Sequence, residues 1–138
     1  MAFLIDTNVL SELRKAVPHP NVAAWAASVD SDSVYLSVLV AGEIRQGVEM
    51  LRRRDPGRAE VLDGWLDDLL ASYADRTVAV DARVGDEWGR LNAAHGLPVI
   101  DGLLAATARV HGWTLVTRNV RDVERTGVRC LDPFTAPA

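Results

Sequence analysis

Asp6, Glu43, Asp101 and Asp122 are spaced along the chain so that each is expected just past the C-terminal end of an apolar, strand-like run. Asp6 ends Ala2-Phe3-Leu4-Ile5, and Glu43 sits in the second turn of a helix that follows Val34-Tyr35-Leu36-Ser37. Asp101 follows Val99-Ile100 and opens another helix, while Asp122 comes shortly after Leu115-Val116-Thr117. In an open α/β sheet, ligands bind outside the carboxyl ends of the strands. Carboxylates gathered there repel one another unless a cation lies among them. An oxygen-only donor set suits hard ions such as Mg²⁺ or Mn²⁺, and the chemistry such an ion supports is hydrolysis.

Each acid also has a structural explanation. In Asp6-Thr7-Asn8 all three residue types cap helix N-termini well, and Asp101 has the same alternative. Asp122 reads equally as a dipole partner at the start of a short helix. Glu43 is the most telling: it lies three residues after Val40 and four before Gly47, beside an apolar stripe where an unpaired carboxylate is costly. Its alternative is an ion pair with a nearby arginine. Thr117-Arg118-Asn119 adds side chains able to hold a metal-bound water or a phosphate.

The elements that must position these residues follow from periodicity. Strands are expected at 2–5, 34–37, 77–80, 115–117 and 128–131. Helices are expected at 7–15, 22–28, 39–53, 58–73, from Asp81 to His95, from Asp101 to His111, and over a short turn near 120–124. Helices between successive strands imply a parallel sheet covered on both faces. One domain spans residues 1–138, with the proline-containing segment 132–138 expected as a loose tail.

The 49% apolar and 25% charged composition is that of a globular domain long enough to bury a core. A net charge of −4 argues against nucleic-acid binding through a broad positive field, though not against a local basic rim. No apolar stretch reaches membrane-spanning length. The start lacks a basic n-region, so no signal peptide is expected there. A lone cysteine, Cys130, reads as a packed strand thiol and fits a reducing cytoplasm. His19, His95 and His111 have no metal-ligand spacing; His95 and His111 each precede a helix-ending glycine. There is no glycine-rich phosphate loop and no nucleophile elbow.

Taken together, Phe3-Leu4-Ile5-Asp6-Thr7-Asn8-Val9-Leu10-Ser11-Glu12, Glu43, Asp101, and Thr117-Arg118-Asn119 with Asp122 resemble the PIN-domain ribonucleases, and more closely the VapC-type toxins of toxin–antitoxin pairs. The resemblance covers essentially the whole chain. It implies a three-layer α/β sandwich and a Mg²⁺-dependent endoribonuclease, with Mn²⁺ as a substitute. It also implies an RNA substrate, a homodimer and a cognate antitoxin. Asp6, Glu43 and Asp101 match the family's three core acids and are its expected metal ligands. The fourth acid of many members falls where this chain has Asn119, and in others where it has Asp122, so that position stays open. Thr7, Asn8, Thr117, Arg118 and Asn119 are expected to support the acids or contact substrate.

Two other readings compete. A PIN-like module that only binds RNA or a partner is favoured by Asn119 and disfavoured by the three retained acids. A receiver or haloacid-type phosphoryl-transfer domain would also place Asp after the first strand. Receivers need an acid pair and a late lysine, and haloacid-type enzymes need Asp where Asn8 stands; neither pattern is present.

Overall fold

A computed structural model describes residues 1–136 and shows five strands, all parallel. In chain order these are β1 (Phe3–Ile5), β2 (Val34–Ser37), β3 (Thr77–Val78), β4 (Thr114–Val116) and β5 (Cys130–Leu131). Their order across the sheet is β3-β2-β1-β4-β5. Seven α-helices accompany them among the described residues: α1 (Thr7–Leu13), α2 (Pro20–Ser28), α3 (Val38–Arg52), α4 (Pro56–Ser72), α5 (Ala82–His95), α6 (Val99–His111) and α7 (Val120–Glu124).

Every residue of β1 and of β4 is buried, as expected of parallel strands covered on both faces. Helices α1 to α4 pack among themselves, and α5 and α6 pack as a second group with α7 against α6. Leu4, Leu36 and Leu115 supply the middle of the sheet, and Leu66 and Leu104 close on it from helices; all are at most 1% exposed. Arg45 and Arg52 of α3 both pair with Asp63 of α4 and so brace these two helices.

The strand order has a consequence for function. From β1 the chain steps to β2 and β3 on one side, then crosses to β4 and β5 on the other. The reversal lies between β1 and β4, which is the crevice where an open α/β sheet accepts ligands.

Sequence periodicity placed most elements within one or two residues. The largest departure is at Asp101. Val99 and Ile100 are not the end of a strand but the first residues of α6, whose N-cap is Pro98. Proline at that point fixes an extended entry and forgoes an N–H that a helix start leaves unbonded anyway. Asp101 is thus delivered by a helix's first turn, not by a strand end. Gly96 and Gly112 end α5 and α6 in left-handed conformation, with φ of 61° and 71°, where side chains are disfavoured. Strand β3 is shorter than expected, and β5 begins at Cys130.

The expected loose tail at 132–138 is folded through its first residues; Pro137 and Ala138 lie outside the described residues. The Phe134 N–H donates to Asp132 Oδ1 (2.9 Å), and its carbonyl accepts from Asn21 Nδ2 (2.9 Å). The ring packs against the core, meets His19 edge-on at 5.6 Å and carries the Arg118 guanidinium 4.3 Å from its centroid. Phe134→Ala is therefore expected to cost about 2 kcal/mol in urea-denaturation stability, from lost apolar burial and one cation–π contact. An unchanged midpoint would mean that the segment contributes nothing to the fold.

Candidate active site

Asp6 follows the central strand and is only 7% exposed. Its backbone N–H donates to the Val116 carbonyl (2.9 Å), which extends the β1–β4 ladder by one step. Its side chain has three donors: the Thr7 N–H to Oδ1 (2.7 Å), and to Oδ2 the Thr117 hydroxyl (2.7 Å) and Asn8 Nδ2 (3.3 Å). The capping alternative is thus part of the answer, since Asp6 does cap α1. Capping alone does not explain Thr117, buried at 1% and aimed at the same carboxylate from β4.

Thr7 does two jobs at once. Its N–H holds Asp6, and its hydroxyl donates to Glu43 Oε1 (2.7 Å). Glu43, half-buried in the second turn of α3, is therefore held by a neutral hydroxyl of the site and not by an arginine. On α3 the buried stripe is Val40, Ile44 and Val48, with Gly47 exposed, so Glu43 stands at the stripe's border facing α1.

From β4, Thr117 accepts from the Asn119 N–H (3.1 Å), and Asn8 Oδ1 accepts from the Arg118 N–H (3.2 Å). Thr7, Asn8, Thr117, Arg118 and Asn119 are all drawn into one network about Asp6. Asn119 takes part only through its backbone; it is the N-cap residue of α7, yet its side chain makes no capping bond.

Asp101 and Asp122 are different. Neither carboxylate has a hydrogen-bond partner among the described residues, and neither caps its helix. Burial, and then the charges of Asp6, Glu43 and Asp122, push the Asp101 carboxyl above its ordinary range. The four acids the sequence singled out therefore share one electrostatic neighbourhood. Even so, no three His, Cys, Asp or Glu side chains among the described residues converge closely enough to enclose a metal ion. The donor chemistry fits Mg²⁺ or Mn²⁺, and hard ions that keep several waters tolerate such an open arrangement. Cys130 lies half-buried on β5 with its thiol pushed up by burial, which makes it a packed and unreactive group.

A cleft lies beside Glu43. It has a volume of ≈350 Å³ between α1, α3 and α4, with Thr7, Arg14, Glu43, Leu62 and Trp65 in its walls. A larger cleft of ≈460 Å³, between α2 and the turn after β5, touches none of the four acids.

The raised Asp101 pKa fixes a sign. The folded chain binds that proton more tightly than the unfolded chain. Asp101 therefore favours folding most at acid pH, and its contribution falls as pH rises from the ordinary carboxylate range to the raised value. Asp101→Asn should give a metal-free protein whose thermal midpoint at pH 7 equals or exceeds that of the parent. The difference should shrink towards pH 3. A variant clearly less stable at pH 7 would contradict the like-charge account.

The chain matches the PIN domain family over residues 3–128. It is similar to toxin FitB of Neisseria gonorrhoeae, 31% identical over 95% of this chain and 97% of that protein. It is also similar to VapC ribonuclease Y4jK of Sinorhizobium fredii, 29% identical over 95% of this chain and 96% of that one. The crystal structure of FitAcB from Neisseria gonorrhoeae superposes with a TM-score of 0.87 at 31% identity, covering 96% of this chain and 98% of that one. With this match over most of its length and the sheet order described above, the chain belongs to the PIN domain family.

Proposed function

We propose that this chain is a Mg²⁺-dependent endoribonuclease, the toxin of a toxin–antitoxin pair, cleaving RNA phosphodiesters at the C-terminal edge of the sheet. The observation that carries the reading is that Thr7 joins the Asp6 and Glu43 carboxylates beside the β1–β4 switch point, close enough for their charges to act on Asp101, while no basic side chain among the described residues forms a salt bridge with any of the four acids. Similarity to a VapC ribonuclease supports the same class.

In this reading Asp6, Asp101 and Glu43 hold the ion, directly or through its waters. The bound ion supplies a water of lowered pKa and neutralises charge on the phosphoryl oxygens. Thr117 and the Thr7 N–H fix the two oxygens of Asp6, and the Thr7 hydroxyl fixes Glu43. Asp122 serves as the fourth acid and orients the attacking water; its charge already acts on Asp101, whereas Asn119 offers only an amide. Arg118, set on the Phe134 ring beside this network, contacts a neighbouring phosphate.

Similarity to toxin FitB supports an antitoxin as the partner, and the cleft between α1, α3 and α4 is the place we assign it. Leu62 and Trp65 give that cleft an apolar wall, and Glu43 at its end attracts a basic side chain. A homodimer is also proposed. Leu66 and Leu91 are buried within the chain's own core and so do not form its face. Exposed Val38, Val80 and Val99, which follow β2 and β3 and begin α6, are better placed to support it. No helix among the described residues is long and apolar enough to cross a membrane. An enzyme acting on cellular RNA is placed in the cytoplasm.

Two outcomes test the reading. The purified chain, freed of any partner, should cut RNA with Mg²⁺ or Mn²⁺ and stop with EDTA. Asp6→Asn or Asp101→Asn should lower the rate at least a hundredfold with the fold intact, since an amide supplies no charge to hold the ion. Activity within a few-fold of the parent in either variant removes the metal-site reading and leaves the binding-module alternative. Separately, the product of the adjacent reading frame should copurify with the chain and relieve any growth arrest it causes. If it does neither, the toxin–antitoxin assignment fails even where the nuclease survives.

A further inference from the structure

Asp6 and Glu43 are fixed by hydrogen bonds to their carboxylates, but Asp101 accepts none among the described residues, so its position follows from where α6 begins. No side chain caps that helix either. What fixes its first turn is packing against α5, to which α6 is joined through only Gly96, Leu97 and Pro98. Leu97 is buried, which anchors the connection.

A close approach in this hairpin falls at Gly102, the residue after Asp101. A methyl group there would lie 3.1 Å from Asn92 Oδ1 and 3.1 Å from both Cδ1 and Nε1 of Trp88. Carbon atoms prefer about 3.5–4.0 Å, so a methyl group at 102 requires α6, the indole or the Asn92 side chain to give way by a few tenths of an ångström. Trp88 and Asn92 lie one turn apart on α5 and close over the glycine together. Trp88 Nε1 and Asn92 Oδ1 are both buried there without a hydrogen-bond partner among the described residues. Shape, not hydrogen bonding, holds them against the glycine.

We propose that Gly102, Trp88 and Asn92 are positioning residues for Asp101: the seat they form fixes the first turn of α6 and so sets where the Asp101 carboxylate stands relative to Asp6 and Glu43. This rests on the metal-dependent reading above. A helix turn moves as a unit, so a shift of a few tenths of an ångström at Gly102 passes undiminished to its neighbour. Catalytic constellations need their geometry held to within about 0.5 Å, so displacement of Asp101 approaching that size weakens ion binding.

A double-mutant cycle on the full chain tests this, with Gly102→Ala, Trp88→Leu and their combination. The first readout is Mn²⁺ affinity by calorimetry without RNA; kcat and KM on a single-stranded RNA follow. Gly102→Ala is expected to weaken Mn²⁺ binding about tenfold and to lower kcat, with KM for RNA within twofold. Trp88→Leu, which loosens the seat, should weaken Mn²⁺ binding less. The combination, in which the added methyl occupies the space left by the indole, should return to within threefold of the parent. Gly89→Ala, on the same helix with open space around it, should change nothing. If Gly102→Ala fails to fold, Trp88→Leu and the combination still give the expected loss and recovery. Singles within twofold of the parent, or losses that simply add, overturn the proposal. A parent chain that binds Mn²⁺ without cutting RNA defeats the nuclease reading while the Mn²⁺ cycle still decides the seat. A parent that binds no Mn²⁺ overturns both.

Discussion

The buried carboxylate of Asp6 is the constraint on which the rest of the site depends. A charge 7% exposed at the end of a central strand is tolerated only because donors reach it from two directions. The Thr7 N–H comes from the first turn of α1, and the Thr117 hydroxyl comes from the end of β4. Those two bonds tie the strand pair across the switch point. Thr117 and Asn8 then carry the tie onward to the backbone of Asn119 and Arg118. Satisfying Asp6 therefore also orders the loop between β4 and α7, which places Asp122. Burial of a single charge organises both the N-terminal helix and the far side of the crevice.

The four acids are held by two unlike means. Hydrogen bonds fix Asp6 and Glu43, so their positions survive small movements of the surrounding helices. Asp101 and Asp122 ride on the first turns of α6 and α7 without such bonds, so their positions are those of their helices. Burial first, and then the charges of Asp6, Glu43 and Asp122, push the Asp101 carboxyl above its ordinary range. The edge thus combines one rigid half with one half whose geometry is set by helix packing.

Much of this was legible in the sequence, for identifiable reasons. The five strands and seven helices announce themselves through apolar periodicity and through caps such as Asp81 and Gly96. Asp6, Thr7 and Asn8 are adjacent, so their joint role follows from local chemistry. Asp101 was assigned to the right neighbourhood but the wrong carrier, because Val99-Ile100 has the composition of a strand and only the preceding Pro98 marks a helix start. Glu43's partner was not legible, since Thr7 lies thirty-six positions away and hydroxyl–carboxylate pairs leave no pattern in sequence. The Trp88–Asn92–Gly102 contact was hidden for the same reason: a glycine in a helix reads as a weakness until the neighbouring helix is seen against it. Phe134 looked like part of a loose end because prolines surround it, although Pro133 is buried and the ring packs inward.

The acid edge also links binding to stability. The Arg45 and Arg52 guanidiniums are committed to Asp63 on the α3–α4 pair, and no salt bridge among the described residues reaches any of the four acids at this edge. Anything that places positive charge there binds the folded chain in preference to the unfolded one and stabilises it by mass action. A divalent ion held as proposed would do this from the crevice. Under the proposed antitoxin reading, a basic side chain in the cleft between α1, α3 and α4 would do it from beside Glu43, which forms part of that cleft's wall. Both relieve the same repulsion, so they cannot each gain its full value at once. The first to bind reduces the attraction for the second even where the two never touch. Under the proposed toxin–antitoxin reading, inhibition needs no displacement of the fold: the partner and the ion compete for one unbalanced charge.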